Sequence, residues 1–419
     1  MTYVRFLGGL KTIGGNIVEI SQGDSRVITD FGLTQQSSQA DVKTLLARHE
    51  LPAVPELFMP QVSEKKFKHQ AIFISHLHLD HTAALEYLTS DLPVYMSRAT
   101  YELYQQLVKV GLATPLKLNF QVFDPGVSVK VGSLTVTGFA SDHDIVGISS
   151  LLISDGQHYF AHSGDLRLFG DHYANVQKWE NKFNSLNLDL FLLEGTSFSF
   201  SAGENGQLEE LHPEINREVE CGRRFMTALQ SLTGIPVVNL YPRNVERLVR
   251  FQQIAAKSQR PIVWESAFAQ LLKHYLPNET IFVQSEPSSN QRAGIQVITW
   301  KQINAAPEKY TVQNSFTNLK RLTKLNDFSY LHADGGPLGD YDPDYQRLKT
   351  FLDQQQATLQ RIGTSGHAAK LELIQVARAV QAKKTVIWHS FEPQKAATAL
   401  KTDGLNVFLP ELNHKYLFK

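Results

Sequence analysis

A single cysteine, Cys221, is all the thiol chemistry this chain of 419 residues contains. An internal disulfide framework is thereby excluded, which suits a reducing compartment. Within the helical pattern "REVECGRRF", Cys221 reads as a small buried apolar residue rather than a nucleophile. Net charge is missing too: 41 Lys and Arg balance 41 Asp and Glu, so no long-range basic field announces a nucleic-acid partner. No apolar run reaches the roughly 18 residues a membrane span needs. The opening "MTYVRFLGGLKTIGG" has no apolar stretch long enough for a signal peptide and reads as a strand and a turn. The expected location is the cytoplasm, with no membrane partner. The glycines of "GGLKTIGGN" match neither a G-x-G-x-x-G nor a G-K-[ST] arrangement, so they read as a hairpin rather than a nucleotide loop.

What is present is a succession of short strands. "YVRFLGG", "NIVEIS", "SRVITDFG", "AIFIS" and "PVYMS" come first. "FQVF", "VSVKV", "LTVTGFA", "SSLLIS" and "HYFAHSGD" then alternate apolar and polar positions, as half-buried antiparallel strands do. "LDLFLLEG" is apolar almost throughout and should be covered on both faces. From about Leu208 strands and amphipathic helices alternate up to "DPDYQRLKTFLDQQQ", the pattern of an α/β segment with a parallel sheet. The chain then returns through "TLQRIGTSGHA", a helix, the strand "TVIWHS" and a last helix. No internal repeat or low-complexity tract interrupts it.

"SHLHLDHT", Ser75–Thr82, packs three histidines and an aspartate behind an apolar strand. Two histidines one residue apart, His76 and His78, can point to the same side of a loop. Asp80 and His81 open a helical pattern whose side chains project back, so the four groups can diverge into two pairs. Neutral imidazoles together with a carboxylate are costly to bury unless something pairs them. Two divalent cations would do so, given further ligands at other strand ends. His143 in "SDHD" follows one strand, Asp165 in "SGD" follows another, and His389 in "WHS" ends a third. A carboxylate has two oxygens and an imidazole nitrogen ordinarily binds one cation, so Asp165 is the natural bridge. Imidazole and carboxylate ligands suit zinc, and manganese is chemically reasonable. Isolated histidines such as His49, His69, His158, His162, His212 and His332 read as ordinary hydrogen-bonded residues.

These stretches resemble a known family. "SHLHLDHT" is similar to the HxHxDH signature of the metallo-β-lactamase fold, and "TDFG" at Asp30, "SDHD" and "SGD" resemble its other motifs. "LFLLEGT" at Glu194, "TSGHA" at His367 and "WHS" at His389 resemble motifs A, B and C of the β-CASP branch that includes RNase J, here without that protein's C-terminal domain. Where motif three of RNase J continues with a serine and a proline, this chain has "HDIVG".

The resemblance implies an α/β chain: a metallo-β-lactamase αββα sandwich from residues 1–205 and 357–419, with a β-CASP α/β domain inserted over 206–356. It implies two cations, one held by His76, His78, His143 and Asp165, the other by Asp80, His81, Asp165 and His389. A histidine at motif C favours RNA-processing members, so the expected substrate is single-stranded RNA. Hydrolysis of its phosphodiesters would give 5′-phosphate and 3′-hydroxyl ends. His367 is the candidate acid for the leaving oxygen because imidazole titrates near neutrality. Glu194 would orient it, and Asp80 would share base duty with metal binding. Asp30 is expected to fix a ligand histidine by hydrogen bond. Ser365 is expected as a helix N-cap, with Ser365 and Gly366 at a helix start whose amides could receive a phosphate oxygen. Phe198, Phe200 and Tyr241 could stack bases, and Arg223, Arg224, Arg243 and Arg247 could meet phosphates in a groove between the domains, although basic and acidic residues nearly balance over 206–356. Hydrolysis of a small ester, lactone or phosphodiester, action on DNA, and a binding or scaffolding role stay open. So does the oligomeric state, a homodimer included.

Overall fold

A computed structural model describes residues 1–34, 40–59, 61, 67–200, 217–285, 294–339 and 342–419. The expected boundary at 205–206, His212 and the first residues of the amphipathic pattern after Leu208 lie outside the described residues. The chain forms two compact units, one comprising Met1–Glu102, Pro115–Phe200 and Gly366–Lys419, the other Leu103–Thr114 and Ser201–Ser365.

The first unit holds two seven-stranded sheets. One runs in the order Lys415–Phe418, Thr2–Phe6, Val18–Gln22, Ser25–Thr29, His69–Phe73, Val94–Ser97 and Phe120–Phe123. The other runs Val407–Phe408, Thr385–Trp388, Leu190–Glu194, Tyr159–His162, Ser149–Ser154, Leu134–Ala140 and Ser128–Val131. Val4, Val18, Val27 and Phe73 of the first sheet pack against Val136, Leu151, Phe160 and Leu192 of the second in one core. Strand periodicity explains why "LFLL" is apolar without a break: Leu190 and Leu192 face that core, while Phe191 and Leu193 turn to the other side. There they meet Trp179 and Phe183 of helix Tyr173–Asn184, Leu373 and Val376 of helix Lys370–Val380, and Leu400 of helix Pro393–Thr402. Ile28 and Ile72, on the outward face of the first sheet, are also fully buried. The result is the αββα arrangement.

Strand direction gathers the chemistry. Ser25–Thr29 and His69–Phe73 are parallel, so Asp30 and "SHLHLDHT" leave the first sheet at the same end. In the second sheet Tyr159–His162, Leu190–Glu194 and Thr385–Trp388 are parallel neighbours. Leu134–Ala140, two antiparallel steps away, runs in the same direction. His143, Asp165, Glu194 and His389 therefore all stand at the C-terminal ends of strands.

The second unit contains a seven-stranded sheet, ordered Ile295–Ile298, Ile281–Gln284, Ile262–Trp264, Thr311–Gln313, Ile235–Leu240, Phe328–Ala333 and Thr358–Arg361, and its strand pairs are parallel. Thr358–Arg361 departs from the sequence expectation, which gave it to the first domain: its backbone extends the parallel ladder beside Phe328–Ala333. Arg247 departs as well. It is buried, with its guanidinium donating twice to Glu218 at 2.8 Å and once to Asp334 at 3.0 Å, so its charge is consumed inside the unit rather than offered to phosphate. Arg224 donates to the carbonyls of Ile362 and Gly363. Arg223 is exposed beside Glu220, and Arg243 lies over the Tyr241 ring. Phe198, in the first unit, is a core residue packed with Ala368 and Ile387 and is not an exposed stacking platform.

Candidate metal centre

The site begins with the backbone around "TDFG" and the octapeptide. His76, His78 and the short helix Leu79–Thr82 are held against Phe31, whose amide donates to the His81 carbonyl at 2.8 Å and whose carbonyl accepts from Ala84. Gly32 makes that approach feasible, since a Cβ there would stand 1.6 Å from the Asp80 carbonyl oxygen. Asp30 adopts φ +57° and His389 φ +55°, a left-handed conformation that side chains other than glycine take infrequently. Such cost is concentrated where surrounding contacts impose it.

Among the described residues, ligand atoms of His76, His78, His143 and Asp165 lie within 4.8 Å of one another, and so do those of Asp80, His81, Asp165 and His389. Asp165 belongs to both groups. Its Oδ2 is 3.5 Å from His76 Nε2 and 3.7 Å from His143 Nε2 on one side. It is 3.2 Å from His81 Nε2 and 3.9 Å from His389 Nε2 on the other. Asp80 Oδ2 accepts from His389 Nε2 at 2.8 Å.

Partners behind these groups set their orientation. Asp30 accepts from the Ser75 amide at 2.7 Å, the Ser75 hydroxyl at 3.0 Å and His81 Nδ1 at 2.9 Å. With its proton committed to Asp30, His81 turns Nε2 toward Asp165 and Asp80. His143 Nδ1 donates to the Gly366 carbonyl, and His389 Nδ1 is hydrogen-bonded to Thr196 Oγ1 at 2.7 Å. Sequence reading singled out neither Thr196 nor Asp144, whose carboxylate lies beside His78 and His143. Each stands next to or inside a quoted motif, and that adjacency is the only signal available.

Do these residues fit divalent cations? His76 Nε2 and both Asp165 oxygens are buried without hydrogen-bond partners, which is costly for polar atoms unless something else satisfies them. Burial lowers the pKa of His76 well below its usual value, lowers that of His78, and brings that of His143 down to about 4. Neutral imidazoles with available lone pairs are what a cation requires. Burial opposes charge on His81 too, yet Asp165, Asp80 and Asp30 raise it well above the ordinary imidazole range. Despite burial, the charges of His389 and His81 keep Asp165 ionised. Carboxylates that retain a proton so firmly provide the field for a cation, so the residues fit.

His367 sits beside both groups, its ring 5.1 Å from that of His143 and 5.6 Å from that of His389. Its Nδ1 donates to Glu194 at 3.1 Å. Glu194 is itself fixed by the amides of Leu166 and Thr196. Burial depresses the His367 pKa, but the charges of Glu194, Asp165 and Asp144 outweigh that and push it up to about 10. Glu194 is held below its usual range, against burial, by His367. Ser365 is not the N-cap expected of it: the helix begins at Lys370 after Ala369, whose amide donates to Glu372 at 2.8 Å, because the four residues between remain extended to carry His367 to the site.

Comparison with known proteins follows the same outline. Residues 17–224 match the Beta-lactamase superfamily domain, a span that includes the octapeptide, His143, Asp165 and Glu194. The chain is a metallo-β-lactamase-fold protein. Among curated relatives it is similar to Ribonuclease J 2 of Streptococcus pyogenes, at 24% identity over 67% of this chain and 48% of the relative. It is also similar to RNase aCSPSF2 of Saccharolobus solfataricus, at 22% identity over 98% of this chain and 84% of the relative. The chain thus spans about half the length of the first of these. A crystal structure of a protein of unknown function from Enterococcus faecalis V583 matches all of both chains at 26% identity with a TM-score of 0.83. This metallo-β-lactamase fold implies divalent metals, and the two histidine–aspartate groups are where they would be held. Among the described residues no helix is long and apolar enough to cross a membrane.

Proposed function

We propose that this protein is a metal-dependent ribonuclease that hydrolyses RNA phosphodiesters. The observation that carries the reading is Asp165 Oδ2 facing imidazole nitrogens of two ligand groups, with the His367–Glu194 pair alongside. The ribonuclease names of the curated relatives support the substrate class. Divalent cations, when bound, supply Lewis acidity to phosphoryl oxygens and bring water ionisation toward neutral pH. His76, His78 and His143 with Asp165 would hold one, and Asp80, His81 and His389 with Asp165 the other; zinc suits these donors and manganese is the alternative.

The chain's own residues account for proton traffic. Glu194 fixes Nδ1 of His367 and favours the imidazolium, leaving Nε2–H to protonate the departing 3′-oxygen. Asp80, bound to His389 and open to solvent on one side, is the carboxylate that receives a proton from the attacking water. Attack at phosphorus with loss of the 3′-oxygen leaves a 5′-phosphate and a 3′-hydroxyl. The test is incubation of metal-loaded protein with end-labelled single-stranded RNA, the matching DNA and a generic phosphodiester. Cleavage of RNA, abolished by His367→Ala, is the expected result. Turnover of the small ester alone, undiminished in that variant, would replace the reading with a small-molecule hydrolase.

A further inference from the structure

We propose that Asp144 is a further metal ligand, adding a carboxylate oxygen to the group formed by His76, His78, His143 and Asp165. The proposal rests on the reading of that group as a cation site. Asp144 follows His143 in the turn after strand Leu134–Ala140 and is largely buried, its side chain 14% exposed. Its Oδ1 lies 3.2 Å from His143 Nε2 and 3.3 Å from His78 Nε2.

The protonation pattern makes this arrangement informative. His143 Nδ1 donates to the Gly366 carbonyl, so in the neutral ring the proton is there and Nε2 presents a lone pair. Asp144 Oδ1 therefore faces an acceptor. The same lone pair faces His78 Nδ1 at 3.2 Å, and the His78 proton belongs on Nε2, toward Asp144. Three electron-rich atoms, Asp144 Oδ1, His143 Nε2 and His78 Nδ1, thus crowd one region with no proton to share among them. Atoms bound to one cation at about 2.0–2.2 Å stand roughly 3.0–3.5 Å apart, which is the separation seen about His143 Nε2.

Gly366 keeps this corner open. A Cβ on it would lie 2.8 Å from His143 Cε1 and 2.9 Å from Asp144 Cγ, so a larger residue would displace one or the other. With Asp144 the donor set becomes three imidazole nitrogens and two carboxylate oxygens. That exceeds the four donors of a closed tetrahedral zinc site and favours a five- or six-coordinate cation.

The experiment compares wild-type protein with Asp144→Asn and Asp144→Ala, each stripped of metal and titrated with cobalt(II). Uptake is followed by elemental analysis and the visible d–d spectrum. Asp144→Asn is the decisive variant, because it keeps the shape and a carbonyl acceptor for His78 Nε2–H while losing the ligand charge; a far-UV circular dichroism match to wild type certifies its fold. The expected result is weak five- or six-coordinate absorption in wild type, stronger four-coordinate bands in the variant, and a loss of affinity at one of two sites of about tenfold or more. An unchanged spectrum overturns the proposal; if affinity falls with it unchanged, Asp144 merely orients His78. Wild-type protein that takes up no cobalt refutes the underlying cation site itself, a failure separable from that of Asp144.

Discussion

His389 Nε2 lies 2.8 Å from Asp80 Oδ2, although 309 residues separate the two in the chain. The contact ties the C-terminal return of the chain to the octapeptide, and it depends on Thr196, whose hydroxyl holds the opposite ring nitrogen of His389. Thr196→Val removes that hydrogen bond and keeps the shape. Outer partners of ligand histidines typically contribute 10–100-fold to metal affinity. The variant should bind the second cation weaker by about that factor, with the first unaffected, as read by isothermal titration of the metal-free protein.

Proton delivery separates from metal binding in a second prediction. His367→Ala should lower kcat on RNA by about 10²–10⁴-fold with metal content unchanged. The acid form of His367 exists below its pKa and is lost as pH rises through it. Glu194 raises that pKa, so Glu194→Gln should move the alkaline limb of the pH–rate profile to lower pH. A limb that does not move removes His367 as the acid.

The fold of the second unit carries its own test. Arg247 and Glu218 form a bidentate pair inside it, both almost wholly buried. Leaving one buried charge without its partner costs about 3–5 kcal/mol. Arg247→Met should therefore destabilise the protein by that order in urea unfolding, and adding Glu218→Leu should recover part of the loss.

Much of this site could be read from the amino-acid order because its ligands occur as local signals. "SHLHLDHT" announces itself by density, and Asp165 and His389 by their place after apolar strands. Sheet composition followed from periodicity, as the alternating destinations of Leu190, Phe191, Leu192 and Leu193 illustrate. What order could not reveal was burial of charge. Arg247 resembles any exposed helix arginine until Glu218 and Asp334 are seen around it. Likewise Thr358–Arg361 joins a sheet by pairing with a strand already formed, a long-range choice with no local marker. Asp144 and Thr196 act through what they touch, which only the fold discloses.

Stability should respond to pH through Glu180 on helix Tyr173–Asn184. Burial raises its pKa to about 7 from a usual 4.5. Between those values the folded state binds more protons than the unfolded, so stability declines as pH rises through the window. Glu180→Gln should raise the thermal midpoint at pH 8 and leave it nearly unchanged at pH 4. Equal midpoint shifts at both pH values would remove Glu180 as the cause.

The shared carboxylate is tested most directly by counting cations in wild-type protein and in Asp165→Ala after equilibrium dialysis against zinc or manganese. Two per chain are predicted in the wild type, with both sites weakened together in the variant. A variant that still holds two, or loses one while the other keeps its full affinity, would contradict a bridge at Asp165.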